Sequence, residues 1–467
     1  MILLSSISQL IKDKIKINSE ITIGGWVRTK RHSKIGITFI ILYDGSCIHD
    51  IQVIAYESLN NYKKDILSIT SGCSLMITGK LVKSPKKLQK YEIHASKIKV
   101  LGWVKNPEKY PISPKKHSLE YLRKVSHLRS RTKLISCITR IKHNIIIYIH
   151  NFFHKKNFFC INTPLITTLD TEGSGKMFRV STIDLKNLFF DSYKKINFKK
   201  DFFGKESFLT VSGQLNLESY ACSMSKVYTF GPTFRAENSN TNRHLAEFWM
   251  LEIEMSFANL KNIMYLAEKL LKYLCKKILN NHIDEINFLS KKNNINLFNK
   301  INKIITNKFI IIDYTNAINI LIKNKKKFNN QILWGKDLSI EHEKYLTNNY
   351  FNGPVIIYNY PKEIKAFYMY LNKDKKTVSS MDVLLPDIGE IIGGSQREHR
   401  IDILDQRIKE LKLNKKDYWW YRDLRKYGTV IHSGFGLGFE RFITYITGLC
   451  NVREAIPFPR TPYNAKF

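Results

Sequence analysis

Between residues 20 and 103 the chain breaks into short apolar-rich runs separated by turn residues: "ITIGGWVRTKR", "GITFIILYDGS", "DIQVIAY", "CSLMITGKLVKS" and "YEIHASKIKVLG". Five such runs in this length predict a small five-stranded barrel of OB type, an architecture that binds nucleic acid. From pattern alone a small sandwich remains the alternative. "NPEKYPISPKKHS" (106–118) is rich in Pro and Lys and reads as a linker. Apolar positions at helical spacing predict a helix over 127–160. Strands and glycines dominate 161–257, and the same grammar returns from 354 to 441. The stretch between them is mixed and Lys/Asn-rich, with one strand-like run, "FIIIDY". Strands flanked by helices make the larger domain α+β. The expected organisation is a barrel over 1–104, a linker over 105–126 and a larger domain over 127–467, with the Lys/Asn-rich segment at about 280–345.

A chain of 467 residues with 43% hydrophobic content can build two or three cored domains. Its 75 Lys+Arg against 40 Asp+Glu give a net charge of +35, which points to a polyanionic partner. Runs such as "KKNNINLFNKINKIITNK" show a second source, the Lys/Asn/Ile bias of an AT-rich genome. Charge therefore does not decide function. The seven cysteines (Cys47, Cys73, Cys137, Cys160, Cys222, Cys275, Cys450) form no CxxC pair. Structural zinc and a disulfide framework are both disfavoured, and reduced thiols in the cytoplasm fit best. No run approaches the roughly 20 apolar residues of a membrane span, and the start carries no basic leader. A soluble, cytoplasmic protein is expected.

Candidate chemistry enters with "SGFGLGFER" (433–441). Glycines at 434, 436 and 438 share one face of a strand pattern, with Phe435, Leu437 and Phe439 on the other. Glycine weakens a strand unless a ligand or another backbone must come close; alone, the run is equally a turn beside a helix cap. Two further segments stand in order before it. "FFCINTPLIT" (158–167) is a helix exit followed by an apolar strand, and "TFRAENSNTNRHLAEF" (233–248) is a strand, polar loop and returning strand. Together the three resemble the signature motifs of class II aminoacyl-tRNA synthetases. The preceding barrel resembles the aspartate–asparagine–lysine subgroup. "YPKEIKAFYM", "GEIIGGSQRE", "DYWWYRDLRKYGTVIHSGFGLGFER" and "IPFPRTP" are similar to the bacterial-type asparaginyl-tRNA synthetases. The resemblance spans essentially the whole chain.

The resemblance implies an OB-type anticodon-binding domain and a class II catalytic domain, an antiparallel sheet flanked by helices. It implies an ATP-dependent ligase that forms asparaginyl-adenylate and passes it to tRNA(Asn), working as a homodimer with Mg²⁺. Arg235 and Arg441 match the catalytic phosphate arginines. A guanidinium offers bidentate, charge-assisted contacts to the developing charge. Glu237, His244, Phe248, Glu390, Gly434, Gly436 and Gly438 complete the expected ATP site. Asp382 and Glu390 match the metal-binding acids, while Asp387 reads as a turn residue. Glu172, Gln214, Leu217, Glu218 and Arg397 match the asparagine pocket. In it, Leu217 stands where aspartyl enzymes carry a Lys, and Glu218 is the expected acceptor for the substrate carboxamide. "KAFY" (365–368) stands where they tend to read "RPFY". On the barrel, Phe39 and Gln52 match the residues that stack on and pair with the central anticodon base, and Arg28 is expected at phosphate. The alternatives are an aspartyl-tRNA synthetase, possibly non-discriminating in tRNA, an ammonia-dependent asparagine synthetase, against which the barrel argues, and a catalytically silent RNA-binding paralogue.

Overall fold

Alternating buried positions give the first strands an inward apolar face, and the strands close into a cylinder. The computed structural model describes residues 4–85, 89–171, 177–190, 192, 194–239 and 241–467. Its barrel strands are β1 (Glu20–Ser33), β2 (Ile37–Tyr43), β3 (Ile51–Tyr56), β4 (Ser74–Lys83) and β5 (Tyr91–Gly102). They close in the order β1-β2-β3-β5-β4, with β3 and β5 parallel and the other pairs antiparallel. On β2, Thr38, Ile40 and Leu42 point inward and are buried, which turns Ile37, Phe39 and Ile41 outward. Ile23, Ile40, Leu42, Val53, Ile77 and Ile93 fill the barrel, each burial stabilising by about 1.5–3 kcal/mol. A helical turn, Ile7–Ile11, held by a Ser6/Gln9 capping box, adds Ile7 and Leu10 to the same core.

The chain forms two compact units, Met1–Ile141 with Phe467, and Lys142–Lys466, so residues 105–141 count with the barrel. Helix α1 (Lys133–His154) runs from one into the other. It is shorter than the helix expected over 127–160. Thr132 Oγ1 accepts from the Ile135 amide at 3.3 Å and starts it afresh. Asn157, at φ 59°, stops the chain from continuing helical, and Phe159–Cys160 becomes strand β6.

The second unit is built on one sheet. Its elements are α2 (Gln214–Met224), β7 (Lys226–Phe234), β8 (Glu247–Ser256), α3 (Leu260–Asn281), β9 (Ile310–Asp313), β10 (Val355–Tyr358), β11 (Ser380–Leu385), β12 (Gly389–Gln396), α4 (Trp419–Lys426), β13 (His432–Gly438) and α5 (Phe439–Thr447). Strand order is β9-β10-β11-β12-β13-β8-β7-β6; the six central strands are antiparallel and each outer pair is parallel. The run "FIIIDY" supplies edge strand β9, and the Lys/Asn-rich segment around it folds into short helices with a separate apolar core about Tyr314, Ile318 and Leu346. Register sets what each face of the central strands carries. Leu251 faces Leu437 and Ile253 faces Phe435, all fully or almost fully buried. The alternate positions pair Met250 with Gly438, Glu252 with Gly436 and Glu254 with Gly434. One face of β8 and β13 is thus apolar core, and the other joins carboxylates to glycines. Helix α3 packs against β12 and β13. Among the described residues, no helix is long and apolar enough to cross a membrane.

Candidate active site

A cavity of about 260 Å³ opens on the glycine face, bordered by β8, β12 and β13. Its floor includes Gly393, Gly436 and Gly438. A Cβ on Gly438 would meet nothing nearer than Arg441 Cδ at 3.7 Å, and one on Gly436 would press on the flexible tip of Met250, at 2.8 Å, with Glu252 Cγ at an ordinary 3.7 Å. Side chains at these two positions would project into space a ligand needs. Gly434 differs from the expectation for all three glycines. It does not border the cavity, and its Cβ would lie 2.1 Å from the Ile253 carbonyl oxygen and 2.2 Å from Glu254 Oε1. Close packing against a neighbouring strand, rather than a nucleotide, requires glycine there.

Arginines line one end. Arg235, at the end of β7, holds its guanidinium 5.5 Å from the Phe248 ring centroid, and both border the cavity. Arg441, in the first turn of α5, donates from Nη1 to the Glu390 carbonyl oxygen at 3.2 Å and to its carboxylate at 3.4 Å. Glu237 and His244 also border the cavity, as does Arg243, which motif reading passed over. His244 Nδ1 lies 3.0 Å from Ser239 Oγ and 2.6 Å from Thr241 Oγ1. Burial lowers its pKa, favouring the neutral ring.

The acids meet across β11 and β12. Asp382 pairs with Gly393 in the ladder, and a Cβ on Gly393 would lie 3.2 Å from Glu390 Oε1 and 3.6 Å from Asp382 Oδ1. The absent side chain lets the two carboxylates converge. Lys365 Nζ donates to Asp382 Oδ2 at 2.8 Å and sits 4.1 Å from the Tyr360 ring centroid. Burial raises the Asp382 pKa against the pull of Lys365. Burial also opposes ionisation of Glu390, but Arg441, Lys365 and Arg235 outweigh it and hold that carboxyl below its usual range. Behind them Glu343 accepts from the Glu390 amide at 3.1 Å; burial and the Glu390 charge push its pKa up to about 7. Among the described residues no group of three or more His, Cys, Asp or Glu is placed to hold a metal. The site offers a pair of hard oxygen donors, suited to an ion that keeps waters and takes its other ligands from phosphate. Asp387 occupies the β11–β12 turn at φ 69°, ion-paired with Lys300 at 2.9 Å.

The other end carries charges of both signs. Gln214, Glu252 and Arg397 border it, with Tyr368. Glu252 accepts from the Gly213 amide at 2.9 Å and from Ser212 Oγ, and burial raises its pKa. Arg397 Nε donates to Glu254 Oε1 at 3.0 Å and Nη1 to Ser395 Oγ at 2.7 Å. Two expectations need correction. Leu217 is fully buried in an apolar cluster with Ala221 and Val227 and does not border the cavity. It lies on α2 three residues beyond Gln214, turned to the core. Glu218 is also fully buried and lies behind the cavity wall. Its Oε1 accepts from Gln214 Nε2 at 3.1 Å and lies 3.9 Å from Arg397 Nε, so it meets the cavity only through those two residues. Glu172 lies outside the described residues.

On the barrel, Phe39 is half-buried on the outer face and the Arg31 guanidinium lies 5.3 Å from its ring centroid. Gln52 shares that face and donates to Glu92 Oε2 at 3.2 Å. Arg28 is engaged within the unit: its Nε is 3.0 Å from Asp50 Oδ1, and its guanidinium lies 4.1 Å from the Tyr43 ring centroid.

Residues 118–462 match the family described as tRNA synthetases class II (D, K and N), and residues 21–101 match the OB-fold nucleic acid binding domain. The chain belongs to the class II tRNA synthetases. It is 61% identical over 462 residues, 99% of either chain, to the asparagine–tRNA ligase of Buchnera aphidicola subsp. Acyrthosiphon pisum. It is 57% identical over 461 residues, again 99% of either chain, to that of Escherichia coli. Among solved structures it resembles asparaginyl-tRNA synthetase from Pyrococcus horikoshii complexed with asparaginyl-adenylate, with a TM-score of 0.86 at 31% identity and full coverage of both chains. The Entamoeba histolytica enzyme in complex with asparaginyl-adenylate gives a TM-score of 0.82 at 25% identity, covering 98% of each chain.

Within this synthetase, sequence reading missed Glu252, Glu343 and Arg243, and it noted Lys365 only as the start of "KAFY", without its pairing to Asp382. The alternation "LEIEMS" in β8 carries a signal for Glu252 and Glu254: two acids on one face of an otherwise apolar strand. Glu343 has none, because it lies in the Lys/Asn-rich segment and joins the acids only through the fold.

Proposed function

We propose that the chain activates asparagine with ATP and transfers it to tRNA(Asn). The observation that carries this is one cavity with arginines at one end and, at the other, a buried carboxylate, an amide and an arginine. The reaction class is that of the family, amino acid–tRNA ligation at the expense of ATP. The asparagine specificity follows the relatives named asparagine–tRNA ligase at 61% and 57% identity.

In the first step the asparagine carboxylate attacks the α-phosphorus and pyrophosphate leaves. Arg235 bonds the α-phosphate and Arg441 the γ-phosphate, so negative charge gathers on fixed guanidinium groups. Adenine stacks on Phe248, with Glu237 at its edge and His244 at the phosphates; Gly436 and Gly438 leave it room. Asp382 and Glu390 would hold Mg²⁺, which would supply charge neutralisation on the phosphates. Gln214, Glu252 and Glu172 receive the α-ammonium, and Arg397 donates to the side-chain oxygen. No side chain acts as nucleophile; positioning and electrostatics suffice. In the second step a terminal ribose hydroxyl of the tRNA attacks the adenylate. Phe39 stacks on an anticodon base and Gln52 pairs with a base edge.

Asparagine and aspartate have nearly the same shape, so charge separates them. The anionic Glu218 lies one layer behind Gln214 and Arg397 and disfavours a second carboxylate, a penalty of several kcal/mol in a desolvated site. We also read the protein as a cytoplasmic homodimer. The support is β6, a two-residue strand at the end of the sheet that leaves Phe159 52% exposed. Sedimentation at micromolar concentration checks this.

Amino-acid-dependent ATP–pyrophosphate exchange, run with asparagine and with aspartate, tests the function. Exchange with asparagine at least ~10³-fold more efficient is the expected result, the scale of such a penalty. Exchange that prefers aspartate would favour an aspartyl enzyme, and no exchange with either would favour a silent RNA-binding paralogue.

A further inference from the structure

Helix α4 carries a group of polar side chains that never reach the cavity, yet all aim at one carboxylate oxygen. Arg425 is buried; its Nη2 donates to Glu218 Oε2 at 2.8 Å and its Nε to the Glu398 carbonyl oxygen at 2.9 Å. One turn earlier, Tyr421 donates its hydroxyl to the same Oε2 at 2.7 Å, and its ring centroid lies 4.0 Å from the Arg425 guanidinium. His432 Nε2, from β13, lies 3.0 Å from that oxygen. Oε2 is therefore saturated. Oε1 is bonded by Gln214 Nε2 and lies 3.9 Å from Arg397 Nε.

We propose that Arg425, supported by Tyr421, is a positioning residue for the choice of asparagine over aspartate, acting through Glu218 on Gln214 and Arg397. An ionised carboxylate only accepts hydrogen bonds, so Gln214 must turn its NH₂ to Glu218 and keep its carbonyl oxygen as the group left for a ligand. As an acceptor it receives the α-ammonium and disfavours a second carboxylate beside it. A buried carboxylate holds its charge only beside a compensating cation. Without Arg425, Glu218 takes a proton or swings away. The Gln214 amide is then free to turn, and Arg397 loses a negative neighbour that offsets its charge. Both changes admit aspartate. This inference rests on the reading of Glu218 as the charge that excludes aspartate.

The test uses the full chain and its Arg425→Met, Arg425→Lys, Tyr421→Phe and Glu218→Gln variants. Pyrophosphate exchange is measured with asparagine and aspartate, with separate KM values for ATP. Arg425→Met is expected to lower the asparagine-to-aspartate ratio of kcat/KM at least ~10-fold, the scale of one hydrogen bond to a charged group. The loss should fall on the asparagine KM, with the ATP KM within twofold. Arg425→Lys, which keeps the charge, should recover part of the ratio. A ratio within twofold of wild type in Arg425→Met, while Glu218→Gln loses discrimination, would overturn the role of Arg425 alone. Equal damage to ATP and asparagine parameters would do the same, since that is a structural effect. Retained discrimination in Glu218→Gln would overturn the underlying reading of Glu218 itself. If Arg425→Met does not fold, unchanged ratios in both Arg425→Lys and Tyr421→Phe overturn the proposal.

Discussion

The barrel and the catalytic sheet use the same strand geometry to opposite ends. In β2 alternation puts Ile40 and Leu42 in the barrel core and leaves Phe39 outside, so the candidate binding face results from burying the other face. Neighbouring strands complete it, with Gln52 from β3 on the same side. In β8 and β13 the second face is not given to water. It holds Glu252 and Glu254 under a cavity, and these charges need partners from elsewhere: Ser212 and Gly213 before α2, and Arg397 after β12. Burying a charge is tolerable only with such partners. The barrel face is therefore a local construction in which one residue can be changed alone. The catalytic face is a coupled one, where a change at one residue spreads through several others.

Mutations can break or sharpen that contrast. The largest effect belongs to the cavity arginines. Arg441→Ala or Arg235→Ala should slow adenylate formation at least ~100-fold, the scale for removing one donor to developing charge. Urea unfolding should change little; near-wild-type pyrophosphate exchange would remove the arginine concerned from the phosphate site.

The glycines come next, and they should part company. Gly434→Ala forces a Cβ against the Ile253 carbonyl and the Glu254 carboxylate, and should destabilise the fold by about 1–3 kcal/mol, as over-packing does. Gly438→Ala has space, so it should fold normally and raise the KM for ATP. Thermal melts beside ATP titrations separate the two; equal loss of stability with an unchanged KM for ATP would mean that Gly438 serves packing as Gly434 does.

On the barrel, Phe39→Ala should weaken tRNA charging by about 1–3 kcal/mol, one stacked base, and leave amino-acid activation intact. Damage to both steps would make the barrel face as coupled as the catalytic one. The smallest effect is expected at Arg28, already held by Asp50 and Tyr43. Arg28→Ala should cost about 1 kcal/mol or less, as part-exposed ion pairs do, with little change in the salt dependence of tRNA binding. A clear loss of slope would return it to phosphate contact.

Much of this protein was legible in the chain because the information is local. Alternation in "GITFIILYDGS" specifies which side chains the barrel buries, and the spacing of Gly436 and Gly438 specifies a strand face without side chains. The family resemblance carried by the ordered motifs pointed to Arg235, Phe248, Asp382, Glu390 and Arg441, and all five border one cavity. Tertiary structure decided what depends on partners far apart in sequence. Glu218 and Arg425 are 207 residues apart, and no local pattern tells a buried paired acid from one that borders a cavity. Leu217 sits beside Glu218 on α2 but belongs to an apolar core, because helical rotation, not adjacency, sets what a side chain meets. Gly434 continues the spacing of Gly436 and Gly438, yet it answers to the Ile253 backbone and the Glu254 carboxylate. Period-two spacing determines a face. What stands opposite that face is set by strand pairing between distant segments, and that pairing exists only in the folded chain.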